Sequence, residues 1–254
     1  MYPELKNAGG LANAIDIEFE KINSTLRVTV NKAYDRIPVT YARVENDNKF
    51  CQIYTAAEEK LYLPDFWRGG VCLAHGRIDN LSQLAQVVDY WLSQNISTQA
   101  LAEHFKFVKP YDKSGAFDGN KEVEYTWKLL VSEDDSLGLK EFIDIASEDE
   151  VLNKLFPFTS LYTLCFSKCT GFPFDTTDLP NVTPIEYVHF VLPKNTTEYA
   201  KIKHDNFTPN SKVYVVTKNK TQYIGEGNAN EALKIVCDNL PNDITPARKG
   251  TADN

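Results

Sequence analysis

Residues 11–22 place Leu11, Ile15, Phe19 and Ile22 at helical spacing, which predicts an amphipathic helix near the start of the chain. The pattern then changes to short segments rich in β-branched and aromatic residues: Thr25–Val30, Pro38–Val44, Phe50–Tyr54, Lys60–Leu63 and Val71–His75. Each is bounded by Asn, Asp, Pro or Gly and reads as a strand. Asn46-Asp47-Asn48 reads as a hairpin turn. From Asn80, a plausible N-cap, Leu81, Leu84, Val87, Val88 and Trp91 recur on one helical face, and Ser97–Phe107 continues as a shorter helix.

Lys109–Asn120 is rich in Pro, Gly, Asp and Asn and reads as a linker. Beyond it, Glu122–Val131 and Leu137–Ala146 are predicted helical, and Ser147-Glu148-Asp149-Glu150 has capping-box spacing ahead of a helical Val151–Phe156. Strands are expected at Leu161–Ser167, Ile185–Leu192 and Tyr199–Lys203. Val213–Thr217 and Thr221–Gly225 form a hairpin with Lys218-Asn219-Lys220 at its tip, and a closing helix runs from Asn230 to Leu240. Runs of strands segregated from runs of helices point to an α+β fold with antiparallel sheets, and no internal repeat is visible. The organisation expected is an N-terminal α+β half over 1–108, a linker over 109–120, and a second α+β half over 121–254 with its hairpin at 213–225.

Composition restricts the function classes. A net charge of −8 opposes a broad nucleic-acid surface, which requires clustered Lys and Arg, and favours a basic partner. The opening MYPELKNAGG lacks a basic n-region followed by an apolar stretch, and no run reaches the length of a membrane span. Five cysteines at 51, 72, 165, 169 and 237 read as free thiols in a reducing compartment. A cytoplasmic protein without cofactor is expected. Asn-x-Ser/Thr sequences, seven in all, then reflect composition and not glycosylation.

Four patterns offer chemistry, and each has a structural reading beside it. Cys72-x-x-His75 and Cys165-x-x-x-Cys169 supply residue types that bind zinc. If Cys165 lies on a strand, a four-residue offset spans about 13 Å, too far for one ion, unless a turn begins at Lys168. A Cys–His nucleophile pair drawn from these cysteines and His75, His104, His189 or His204 would need a spatial contact that spacing cannot reveal. Gly225-Glu226-Gly227 stands where phosphate loops occur, but Glu226 would repel the anion and no Lys follows, so a turn and helix cap is expected. Asp112 and Asp118 each begin a partial calcium-loop pattern that fails at the required later positions. Acidic runs at 133–135 and 148–150 precede helices, where negative charge suits the helix dipole.

Two aromatic stretches break the periodic pattern. One is Tyr62–Gly70, a Pro- and Gly-framed segment carrying Phe66, Trp67 and Arg68; the other is Lys168–Phe174, carrying Phe172 and Phe174. Aromatic and Arg residues on loops are enriched at binding hot spots, so these five are the candidate binding residues. The alternative has both segments tucking their rings beneath a sheet.

Phe158-Thr159-Ser160, Leu164-Cys165-Phe166-Ser167, Thr170-Gly171-Phe172-Pro173-Phe174 and the tail Leu240-Pro241, Pro246-Ala247, Gly250-Thr251-Ala252-Asp253 resemble a bacterial family of unknown function. That family occurs mainly in actinobacteria and relatives and is sometimes labelled as natural-product-biosynthesis proteins. The resemblance runs from about residue 156 onward and implies no catalytic residue. Two functional readings follow. The first is a non-enzymatic, protein-binding accessory or immunity-like factor. The second is an enzyme or small-molecule binder with a Cys/His site in a cleft between the halves, using Cys165, Cys169, His75 or His189.

Overall fold

The computed structural model describes residues 2–29, 40–203, 212–219 and 221–253. His204, Lys220 and the residues from Val30 through Val39 lie outside them, so the expectations that fall there are not addressed. The fold is α+β, with two five-stranded antiparallel sheets, each carrying its own helices, in two compact units, 1–120 and 121–254. The stretch 109–120, read as a linker, contains the end of a strand and a short helix. Among the described residues no helix is long and apolar enough to cross a membrane.

In the first unit, α1 (Pro3–Ala8) and α2 (Leu11–Lys21) precede strands β1 (Tyr41–Asn46), β2 (Lys49–Thr55), β3 (Tyr62–Arg68) and β4 (Val71–Gly76). Helices α3 (Leu81–Ser93) and α4 (Thr98–His104), strand β5 (Val108–Pro110) and helix α5 (Ser114–Asp118) follow. The sheet is a meander in sequence order. Alternate residues of β1–β3, among them Val44, Ile53, Tyr62 and Phe66, meet Leu11, Ile15 and Phe19 of α2 and Leu84, Val88 and Trp91 of α3 in one core. Asn80 caps α3 by accepting from the Gln83 amide at 3.0 Å, as the sequence predicts. The β1–β2 hairpin turns through Asp47 at φ 52°, a left-handed position that Asp tolerates.

Two expectations in this unit are corrected. Of Thr25–Val30, the described residues 25–29 provide a single bridge, Val28 to Val44, instead of a strand. Tyr62–Gly70 is not a loop: residues 62–68 are the central strand, and only Gly69-Gly70 turn. Pro64 is accommodated because the ladder to β4 is interrupted there. It lies against Gly76, between the Tyr62–Ile78 bridge and the Asp65–His75 pair.

Charged side chains secure the helix ends of this unit. Lys49 reaches from β2 beneath α3, donates to the Trp91 and Gln94 carbonyls at 3.1 and 2.7 Å, and sits 4.5 Å from the Trp91 ring centroid. It thereby serves carbonyls that the end of the helix leaves without partners. Arg68 of β3 pairs with the Asp118 carboxylate, whose second oxygen accepts from the Thr98 amide at 2.9 Å and the Thr98 hydroxyl at 2.6 Å. Asp118, at the end of α5, thus supplies the anion at the start of α4.

The second unit begins with α6 (Glu122–Ser132) and α7 (Lys140–Glu148). Strands β6 (Phe156–Ser160), β7 (Thr163–Ser167), β8 (Pro180–Pro184), β9 (Tyr214–Lys218) and β10 (Gln222–Gly227) and helix α8 (Ala229–Asp238) complete it. Its sheet is also sequential, with β6 and β10 at the edges. Leu164, Phe166, Val182, Tyr214 and Val216 face Trp127, Phe142, Ala232 and Val236 of the helices. On the opposite face Val215 joins Val188, Leu192 and Ile202 in a smaller cluster. Ile185–Leu192 and Tyr199–Lys203 are not strands. Residues 185–190 and 199–201 are 3-10 turns, while the strand is the proline-bounded Pro180–Pro184. Val151–Phe156 is likewise not a helix: Asp149 accepts from the Val151 and Leu152 amides and starts a single 3-10 turn, after which β6 begins at Phe156.

Burial pushes the Lys49 ammonium down from 10.5 to about 8, with the neighbouring Arg68 charge adding to the effect. Between those values the unfolded chain binds more protons at this site than the folded one, so the Lys49 contribution to stability rises with pH. Urea unfolding at pH 8 and pH 10 should therefore show the native chain gaining stability relative to Lys49→Met at the higher pH. A gap that stays constant or narrows would contradict this.

Candidate functional site

The outer face of the first sheet, opposite its helices, brings together the richest set of side chains. Alternation along β3 sends Leu63, Asp65 and Trp67 to this face while Tyr62, Pro64 and Phe66 face the core. Register aligns them in rows: Gln52, Asp65, His75 and Lys109 run across four strands, and Phe50, Trp67 and Cys72 across three. Phe50 stacks on Trp67 at 5.1 Å and the Arg43 guanidinium covers Phe50 at 3.8 Å. Tyr41 and Tyr54 pair at 5.2 Å, and His75 and Tyr111 at 5.0 Å.

The electrostatics of this face are those of a half-dry surface. Burial raises the Asp65 carboxyl above its usual range, and His75 opposite partly offsets the shift. Burial pushes the Cys72 thiol up to about 12, with Asp65 adding to it. The Tyr54 and Tyr111 phenols are raised as well, first by burial and then by nearby groups including Asp65 and Cys72. Trp67 Nε1 and His75 Nδ1 are buried without a hydrogen-bond partner.

The second surface lies at the β6 edge of the second sheet. Residues 168–175 form a loop laced to the C-terminal tail: the Thr170 amide donates to Arg248 O at 3.0 Å, Gly171 to Gly250 O at 2.7 Å, and Ala252 back to Pro173 O at 2.8 Å. Cys169 is fully buried within it; its sulfur accepts from the Asp175 amide at 3.2 Å, and its amide donates to Ser167 Oγ at 3.0 Å. The loop presents Phe174 stacked on Phe158 of β6 at 4.2 Å, with Phe172 edge-on to Phe174 and 69% exposed. Leu161, 73% exposed, tips the β6–β7 hairpin beside Tyr162, which stacks on Tyr187 and Phe190.

The five candidate binding residues therefore separate. Phe66 is a core residue meeting Trp91 edge-on at 6.1 Å, and Arg68 is paired with Asp118, whereas Trp67 occupies the outer face of the first sheet. Phe172 and Phe174 share the second surface. Cys72 and His75 stand near Asp65, while Cys165 lies on β7 across from Phe158 and Cys169 serves its loop. Among the described residues no three His, Cys, Asp or Glu side chains form a group able to hold a metal ion. His104 stacks on Tyr90, and His189 lies tilted against Phe190. Gly225 and Gly227 belong to β10, where a Cβ would come within 2.8 Å of Ile235 and 2.5 Å of Glu231. They let α8 pack closely, and Asn228 caps that helix in a capping box with Glu231. Asp65, Tyr111, Phe158 and Leu161 were missed by sequence reasoning. The alternation Leu63-x-Asp65-x-Trp67 was the available signal for the first of these.

Residues 121–205, from the start of α6 past the last 3-10 turn, match a family of unknown function, DUF6193. The match begins where the second unit begins and ends before β9. No curated protein and no solved structure matches the chain.

Burial holds the thiols of Cys72 and Cys165 at about 12, far above an ordinary cysteine. The thiolate is the reacting species, so at pH 8 both should alkylate with iodoacetamide at least about a hundredfold more slowly than free cysteine. Mass spectrometry of timed digests measures this. Reaction of either at the rate of the free amino acid would show an activated thiol.

Proposed function

We propose that the chain is a cytoplasmic accessory protein that acts by binding another protein and not by catalysis, and that the partner presents a basic surface with an apolar anchor site. The observation that carries this reading is the exposure of Phe172 on a loop whose backbone is fixed by the tail. A large ring held in water on a preorganised loop loses little entropy on docking. Leu161 and the Phe158–Phe174 stack extend the same kind of surface. Pro157 within the edge strand β6 has no N–H to offer, which disfavours strand addition and leaves recognition to side chains.

Charge supports the choice of partner. Residues 121–254 hold twenty Asp and Glu against fourteen Lys and Arg, and the acidic residues cluster between Glu133 and Glu150, just ahead of β6. Such a field steers a basic protein toward this unit. An immunity-like role, in which the chain masks its partner, is the form of binding that needs no chemistry of its own.

Co-purification from the native host with the tagged chain tests the reading, with Phe172→Ala as comparison. One basic protein should be recovered, its yield falling about tenfold in the variant, as for a hot-spot residue, and falling again at high salt. The variant's thermal midpoint should stay unchanged because the ring is exposed. Recovery that is indifferent to Phe172, or no specific partner at all, would contradict the proposal.

A further inference from the structure

Phe172 is pinned on both sides by one segment of the chain. The Gly171 amide just before it donates to Gly250 O at 2.7 Å, and the Pro173 carbonyl just after it accepts from the Ala252 amide at 2.8 Å. Further back, the Thr170 amide donates to Arg248 O at 3.0 Å, and the Arg248 amide donates to Lys168 O at 2.9 Å. Residues 246–252 therefore run beside the loop as a strap. The loop closes on itself at its base, where the Lys168 amide reaches Asp175 O at 2.9 Å and the Asp175 amide reaches the Cys169 sulfur.

Little apolar surface holds the strap in place. The core of the second unit is reached by Ile244, just ahead of the strap, whereas Arg248, Lys249 and Ala252 are exposed. Thr251 is its buried side chain. The rest is main-chain hydrogen bonding, including the Ala247 amide to Lys154 O at 2.9 Å, and a pair between Lys249 and Glu122 at 3.6 Å. A segment held in this way opens locally, at a free energy below that of global unfolding. Its closure also requires Gly250 at φ 96°, a backbone conformation that residues with a Cβ rarely adopt.

We infer that residues 246–252 regulate the Phe172 surface: closed, the strap holds the ring in the orientation that docks the partner, and released, it leaves the ring free to reorient and docking weak. The inference rests on the protein-binding reading and names the element that controls that site. If the closed form is the one that binds, apparent affinity follows the closed fraction. By linkage, the bound partner in turn holds the strap closed. Gly250 and Ala252 are positioning residues that act through Phe172.

Hydrogen exchange of the full chain, run beside co-purification, tests this. In the native chain the amides of Thr170, Gly171, Arg248 and Ala252 should exchange together and faster than those of β8 and β9, and added partner should slow them. Gly250→Val combined with Ala252→Pro removes the left-handed position and one hydrogen bond. Thr170 and Gly171 should then lose their protection while β8 and β9 keep theirs, and partner recovery should fall about fivefold or more. Phe172→Ala should lose the partner without changing exchange at Thr170 and Gly171, which separates the ring from the strap. Should β8 and β9 lose protection in the double variant, Gly250→Ala is read in its place. Loop amides that exchange only together with the sheet, or an opened strap that recovers the partner as the native chain does, would overturn the inference. A native chain that recovers no partner defeats the protein-binding reading, and exchange alone then decides the strap: Thr170 and Gly171 unaltered in the variant would overturn it.

Discussion

The first unit depends on how the two ends of its helical layer are neutralised. Trp91 closes the core under the sheet, and two charged side chains that face each other on neighbouring strands, Lys49 and Arg68, both approach its ring. Lys49 goes to the carbonyls that end α3, and Arg68 goes to Asp118, which holds the start of α4. The chain between Ser93 and Thr98, which joins α3 to α4, is thus held at both of its ends. Because Asp118 comes from α5, the same contact also ties the last segment of the unit to its central strand. Partly buried pairs of this kind do less for stability by their mutual attraction than by the penalty incurred when one member is left alone.

Both units put their helices on one face of a sequential antiparallel meander, and in both the other face and an edge carry the side chains capable of recognition. The reason is the period of two along a strand, which commits every second residue to the helix-covered core and frees the others, except where, as at Val215 in the second unit, a smaller cluster covers the opposite face. In the first unit the freed residues include Asp65, Trp67, Cys72 and His75. In the second they include Phe158 and Cys165, flanked by a loop that the C-terminal tail keeps in place. The raised thiols of Cys72, Cys165 and Cys237 suit structural or binding surroundings better than nucleophilic ones.

Much of the fold was legible where periodicity and turn chemistry agree. The α+β class, helix α3 with its Asn80 cap, the Asn46–Asn48 turn, the hairpin of β9 and β10 and the closing helix all follow local rules. Proline was the main source of error. Pro64 disguised the central strand because its missing N–H is tolerated only through an interruption of the ladder. Pro180 and Pro184 hid β8, whereas the β-branched run at Ile185–Leu192 forms a 3-10 turn. The candidate site was legible only in pieces. Trp67, Cys72 and His75 could each be singled out, but the juxtaposition of Asp65 with His75 and of Trp67 with Cys72 is fixed by strand register, which depends on contacts between segments and not on either segment alone.

The central claim is that the Arg68–Asp118 contact is a coupled part of the first unit and not an incidental surface pair. A double-mutant cycle with Arg68→Gln and Asp118→Asn, read by urea unfolding, tests it most directly. The account predicts a coupling energy of about 0.5–3 kcal/mol, the range for residues in one shared network. Additive effects, with coupling within about 0.3 kcal/mol of zero, would contradict it.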